Sequence, residues 1–516
     1  MGGRLRQTWR QDVLASLVVF LVAVPLSMGI AIASGVPLEK AAPVGLLTAA
    51  VAGIVVGMLG GCQLQVSGPA AGLAVMVALF IEELGYSGLV LATILAGLVQ
   101  IAAGLARIGQ IFRAVAPALI EGMLGGIGVL IFASQFHVMI DDVPPGTSKE
   151  FGGIINLWTI PVAIVKAVTI PEHVAPASVG VLTIVVIMLW ARFAPARLRL
   201  LPPPLAGVIV ATVTAAMLGL SIQQVPVPEQ LLSVITFPTA DMFPRLLDKA
   251  IWIAALSLAF VASAESLLTA TAVDAMQNRT PRTNYNRELV GQGIGNSISG
   301  LLGLLPVTGV IVRSSANVIA GAQTRLSAVL HGVWILVFVL VFPDVLRLIP
   351  VSSLAAVLVY TGVRLMKFRV LAQLWRTDRA EAIVFVVTLG TVIAIDLLTG
   401  IVVGLIAALL KLLYSLTHLE TTVAHADDGT VTLYLRGAAT FLRLPQLAAI
   451  LEALPPNAKV HVHFEQLTYI DHACLDLLVK WEQQHKAHGG ELTIDWESLH
   501  GVFQRTAWNA EPAGKG

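Results

Sequence analysis

Long apolar stretches, each bounded by charge or proline clusters, follow one another along most of this chain. Their lengths and hydropathy mark membrane segments. The pattern predicts segments at 12–33, 41–60, 67–82, 86–106, 111–135, 176–195 and 203–222. A second set follows at 248–275, 286–304, 309–321, 325–342, 350–366, 380–398 and 400–418. That makes fourteen, arranged as seven plus seven. Between them, 136–175 contains an apolar run, Ile154–Val168, that reads as a partly embedded connector. The first apolar run starts beside Arg4, Arg6 and Arg10 with no cleavage pattern before it, so it is expected to stay as a membrane helix.

Composition agrees with the pattern. The 516 residues are 56% hydrophobic and only 12% charged, against about a quarter charged in an ordinary soluble domain. A soluble enzyme, a disulfide scaffold and a nucleic-acid binder are all excluded on that ground. Net charge is +1, so no excess points to nucleic acid or an acidic partner. Cys62 and Cys474 read as free thiols.

Charge is unevenly spread. Residues 1–418 hold 25 basic and 19 acidic groups, whereas 419–516 hold 7 and 12, nearly twice the density. The expectation is a transmembrane domain over 1–418 and a small soluble domain over 419–516. With the N-terminus inside, the inner loops hold seventeen Lys and Arg (Arg107, Arg113, Arg197 and Arg199 among them) and the outer loops six, Lys149 and Lys166 included. That asymmetry puts both termini and the soluble domain in the cytoplasm.

Two segments are short. The third opens Gln65-Val66-Ser67-Gly68-Pro69 and the tenth opens Pro306-Val307-Thr308-Gly309, each third in its set of seven. Matched, Gly/Pro-interrupted segments point to a transporter binding site at the interface of inverted repeats. Half-helices starting near the midplane present free N–H groups and the positive end of the helix dipole, which together suit an anion. Arg313 adds a full charge near the start of the tenth segment. Glu265 lies midway along the eighth, with Thr269 one turn further on the same face. Intramembrane ionisable groups mark function by default. A carboxylate beside a bound anion can take up a proton together with it, the chemistry of proton–anion symport. A static Glu265 held by Arg313 or by backbone N–H groups is the alternative. Glu121, Asp274, Glu288 and Asp396 lie nearer segment ends and read as structural, and His331 as a packed helix residue.

At these residues the chain resembles the SulP (sulphate permease) anion transporters, whose animal relatives include pendrin and prestin. The resemblance rests on Asp12-Val13-Leu14-Ala15, Val24-Pro25-Leu26-Ser27-Met28-Gly29 and Ser34-Gly35-Val36-Pro37. It continues in Ser67-Gly68-Pro69, Glu265-Ser266-Leu267-Leu268-Thr269, Asn286-Arg287-Glu288-Leu289, Gly291 to Asn296, and Pro306 to Ser314. It implies a polytopic α-helical membrane protein with two inverted seven-helix repeats, related more distantly to uracil permease. A core of helices 1–4 and 8–11 would move as an elevator against a gate of helices 5–7 and 12–14.

By motif match the substrate site would be lined by Leu26, Ile30, Ser67, Gly68, Pro69, Ala70, Gly309, Val310, Ile311, Val312 and Arg313, with Glu265 and Thr269 in ion coupling. Relatives often carry Gln and Phe at the Leu26 and Ile30 positions, so this pocket is the more apolar. Sodium-coupled bicarbonate members have Asp at the Glu265 position and hydroxyls at the Ala70 and Ile311 positions. Losing those oxygens disfavours a sodium site and favours proton coupling.

The tail resembles a STAS domain, with strands at Val431–Leu435, Val460–Phe464 and Leu492–Asp495 and helices at Leu447–Ala453 and Cys474–His485. Asp471-His472-Ala473-Cys474 stands where bacterial antagonists carry a phosphorylatable serine, so a phospho-switch is not expected. His461/His463 and His485/His488 have metal-like spacing with too few companion ligands for a zinc site.

The reading is therefore a secondary active transporter of sulphate, bicarbonate or a dicarboxylate, proton-coupled, in a bacterial inner membrane. The resemblance implies a homodimer. No cofactor, metal, enzymatic activity or nucleic-acid partner is expected. Sodium-coupled bicarbonate symport, and an exchanger or channel-like member of the family, are the alternatives.

Overall fold

The computed structural model describes residues 2–110, 116–146, 152–195, 201–226, 228, 231–425 and 430–494. Arg113, Lys149, Arg197, Arg199, Asp495 and the first residues of the expected fifth segment, 111–115, lie outside the described residues. The chain forms two compact units, Met1–Leu405 and Ile406–Gly516.

The first unit is helical. It begins with α1 (Gly2–Ala33), α2 (Leu38–Leu59), the two-residue strand β1 (Ser67–Gly68), α3 (Ala71–Leu105) and α4 (Pro117–Met139). Next come α5 (Gly152–Trp158), α6 (Ile160–Thr169), α7 (Pro171–Phe193) and α8 (Pro203–Met217). A second run holds α9 (Lys249–Met276), α10 (Tyr285–Leu301), β2 (Thr308–Gly309), α11 (Ile311–Ile319), α12 (Leu326–Val341) and α13 (Pro343–Arg347). It closes with α14 (Val351–Leu365), α15 (Phe368–Thr377), α16 (Arg379–Ala394) and α17 (Leu397–Thr417), whose later turns fall in the second unit.

Each of the fourteen expected segments meets a helix, with instructive differences. The third and fourth share α3, which breaks at Gly85 (φ 69°, ψ 171°), a backbone conformation that suits glycine. The third and tenth do not start as helices: Ser67-Gly68 and Thr308-Gly309 are extended, because their residues pair with each other rather than continuing a helical ladder. The connector is two short helices, α5 and α6, bent by 45°. Seven described helices are long and apolar enough to cross a membrane singly, or eight with the bent pair. Helices such as α12 and α16, at 16 residues, span only about 24 Å at 1.5 Å per residue.

α1, α2, α3, α9, α10, α11 and α12 pack on one another, and α4 packs on α14 and α16, and α7 on α8 and α14; α1 against α14 and α8, and α3 against α4, join the two sets. Small residues permit the closest approaches. A Cβ on Gly97 would come 2.5 Å from the Gly293 carbonyl, and one on Gly293 2.5 Å from that of Gly97, so α3 and α10 touch backbone to backbone. Facing outward, α7 and α17 leave most of their apolar surface exposed, with only 28% and 22% of their apolar windows buried. That is the pattern of helices that meet lipid rather than water.

The second unit is a four-stranded sheet in the order β3-β4-β5-β6. β3 (Leu419–His425) runs antiparallel to β4 (Thr430–Ala439), which is parallel to β5 (Lys459–Ile470), itself parallel to β6 (Glu491–Ile494). The helices α18 (Leu444–Glu452) and α19 (His472–Ala487) make the crossovers. Alternate residues Leu433, Val460 and Val462 meet Leu447, Leu451, Cys474 and Leu478 in one apolar core. β3 is the element that the sequence reading lacks. His485 stacks on Trp481, with Nε2 2.9 Å from the Ala458 carbonyl oxygen, and His463 stacks on Tyr434.

Candidate functional site

The two broken segments meet. β1 and β2 pair antiparallel, Ser67 opposite Gly309 and Gly68 opposite Thr308, all four buried. This short bridge presents two helix N-termini, α3 after Ala70 and α11 after Val310. Neither has a side-chain cap. Their first N–H groups, together with the positive helix ends, favour a negative guest.

Arg313 lies in the first turn of α11 and is completely buried. One guanidinium nitrogen, Nη2, donates to Ser27 Oγ at 2.9 Å and to the Pro69 carbonyl at 3.4 Å. Nε and Nη1 have no hydrogen-bond partner. A Cβ on Gly68 would collide with Nη1, so the absence of a side chain there lets the guanidinium reach the bridge. Among the described residues no carboxylate lies within ion-pair distance of Arg313. The static Glu265–Arg313 pair is therefore not formed.

Glu265 reaches the start of α3 from α9. A Cβ on Gly72 would lie 2.8 Å from both of its carboxylate oxygens, and Oε2 is buried without a partner. One turn on, Thr269 Oγ1 donates to the Gly309 carbonyl at 3.0 Å, while Ser266 Oγ accepts from Gly309 N at 3.0 Å. Thus α9 grips the middle of β2 by both faces of one peptide residue.

Of the expected lining, Ser67, Gly68, Pro69, Ala70, Gly309, Val310 and Arg313 are gathered at the bridge and its flanks. Leu26 and Ile30 are buried one turn apart on α1, and between them Ser27 supplies the hydroxyl that Arg313 uses. Ile311 is half-buried, and Val312 is 43% exposed, off the face that carries Arg313 and Asn317.

Several residues were missed. Ser27, Ser266 and Gly72 touch the site directly. Beneath it, α10 carries Glu288, Gln292 and Asn296 at intervals of four, all buried. Glu288 accepts from Cys62 N (2.8 Å), Gln65 Nε2 (2.9 Å) and Gln292 Nε2 (2.9 Å). Gln292 also donates to Ser67 Oγ at 2.8 Å. Asn296 accepts from Val307 N at 2.7 Å and donates to its carbonyl at 3.0 Å. The four-residue spacing of polar groups inside a glycine-rich helix was the available signal. The remaining span-end carboxylates hold local structure: Asp274 accepts from Thr283, Asp396 from Thr399, and Glu121 pairs with Lys367 at 2.9 Å.

Known proteins place the chain by sequence and by shape. The sulfate permease family matches residues 9–388, and the domain described as "Mlab, STAS domain" matches residues 423–507. The protein named "Putative sulfate transporter YvdB" of Bacillus subtilis (strain 168) is 28% identical over 95% of this chain and 91% of its own. Bicarbonate transporter BicA of Picosynechococcus (strain PCC 7002) is 24% identical over 81% of this chain and 74% of its own. In shape, the overall structure of SLC26A9 covers 98% of this chain and 88% of its own with a TM-score of 0.70 at 16% identity, a likeness of fold.

Proposed function

Because the chain belongs to the sulfate permease family, we propose that this anion transporter is a secondary active carrier that moves sulphate, bicarbonate or a dicarboxylate together with a proton. The observation that carries the reading is Arg313, buried with two guanidinium nitrogens unpartnered between two uncapped helix N-termini. An uncompensated buried cation is costly, and a small oxyanion supplies both the charge and the acceptors. The expected lining residues around the bridge, from Leu26 to Arg313, are the binding groups in this reading.

Glu265 is the proposed coupling group. Its Oε2 has no donor, so a proton there meets no competitor. A sodium ion requires several oxygens, and positions 70 and 311, being Ala and Ile, supply none from their side chains. Alternating access by an elevator movement, a homodimer, and the division into a transport domain over 1–418 and a cytoplasmic domain over 419–516 complete the proposal. They rest on the family resemblance and the loop charges.

The test is uptake into proteoliposomes of labelled sulphate, bicarbonate and succinate, with and without sodium and with and without an imposed pH gradient. An inward proton gradient should drive accumulation of at least one anion without sodium, and Glu265→Gln should abolish accumulation while sparing exchange. Uptake indifferent to pH overturns symport. Full accumulation by Glu265→Gln removes Glu265 as the coupling group.

A further inference from the structure

The helix α15 joins two apolar helices, α14 and α16, and buries none of its own residues completely. Its residues are segregated around its circumference. Val370, Leu371 and Leu374 are half-buried, and α15 packs on α16. Beside them, Phe368 and Trp375 are 58% and 52% exposed. These two are seven residues apart, so they share one stripe two turns long. The adjoining stripe carries Arg369 and Arg376, also seven apart and exposed. Neither arginine has a carboxylate within ion-pair distance among the described residues.

The surroundings add positive charge. Exposed Arg364 lies over the Tyr360 ring at 5.8 Å, and exposed Arg379 opens α16. Nearby acids are engaged: Asp378 accepts from Ala380 N and Glu381 N at the start of α16, and Glu121 holds Lys367. An aromatic stripe bordered by guanidinium groups matches one environment well, the boundary between acyl chains and phosphate headgroups. Aromatic rings settle at that level, and guanidinium forks bind phosphate oxygens.

We propose that α15 is a docking surface for anionic phospholipid, with Phe368 and Trp375 inserted at the acyl boundary and Arg369 and Arg376 on the headgroup phosphates. The Lys367–Glu121 pair ties the start of this helix to α4, on which α14 and α16 also pack. The inference is independent of which anion is carried and of how transport is coupled.

The test uses the full chain in nanodiscs of phosphatidylcholine doped with pyrene-labelled phosphatidylglycerol or pyrene-labelled phosphatidylcholine, read by energy transfer from tryptophan. Transfer to the anionic probe should exceed transfer to the zwitterionic one, and added salt should reduce the difference. Each surface arginine contributes about fivefold to anionic-lipid affinity, so R369Q/R376Q should weaken the preference on the order of twenty-five-fold. R369K/R376K, which keeps the charge, should retain most of it. Glycerol phosphate at millimolar concentration should not displace the lipid, since it lacks the apolar part. Equal transfer to both probes, an unchanged preference in R369Q/R376Q, or displacement by glycerol phosphate would each overturn the proposal.

Discussion

Arg313 derives its properties from what its neighbours lack. Gly68 has no side chain, so Nη1 reaches the strand bridge, and Ser27 offers one oxygen where a full counter-ion would neutralise the charge. Gly68→Ala should push the guanidinium aside with little damage to the fold, because the group it meets is the flexible end of a side chain. A lost charge-assisted hydrogen bond is worth about 1.5–3 kcal/mol, or roughly ten- to a hundredfold in KM for the anion. Uptake measured against anion concentration checks this, and an unaltered KM would place the anion elsewhere. Arg313 and Glu265 were legible in the sequence because ionisable groups are scarce in apolar segments. Ser27 was not. Hydroxyls on membrane helices commonly bond back to the previous turn, and Ser27 does donate to the Ala23 carbonyl at 2.6 Å while accepting from Arg313. A sequence shows the first habit and hides the second.

At the scale of elements, the site is held from below by one helix. Glu288 and Gln292 on α10 fix the approach to β1, and Asn296 holds Val307 beside β2 by both backbone groups. Asn296→Ala leaves a buried N–H and carbonyl unpaired and frees Gln100 Oε1, which accepts from Asn296 at 2.8 Å. The expected cost is about 2–3 kcal/mol, with a lowered unfolding midpoint in detergent and a larger loss of transport than of folded protein. Transport falling only in proportion to folded protein would reduce Asn296 to a packing residue. The breaks themselves could be read from glycine and proline at matched places. Their pairing could not, since a two-residue bridge carries no periodicity and its partners are more than two hundred residues apart. Likewise β3, with its Glu-Thr-Thr run, lacks the apolar alternation that disclosed β4 and β5.

Over the whole molecule, the contrast in charge density between the two parts reflects two different ways of burying apolar surface. The first unit turns apolar side chains outward on α7, whereas the second gathers Leu433, Val460, Val462, Leu447 and Leu478 inside a small sheet-and-helix core. Every fully buried residue of that core lies between Leu419 and Leu478, so the second part contains its own hydrophobic core. The piece 419–516 should therefore fold alone, and Cys474, its one cysteine, reports on this. The thiol is fully buried beside Asp471, and burial with that carboxylate pushes it up from 9.0 to about 12. A thiol raised in this way is protected below its unfolded value and loses protection as pH climbs towards the folded one. At about pH 8, iodoacetamide should leave Cys474 unmodified in the folded piece and label it fully in urea, because the thiolate is the reactive form. Rapid labelling of the native piece would mean that this core needs the rest of the chain to close.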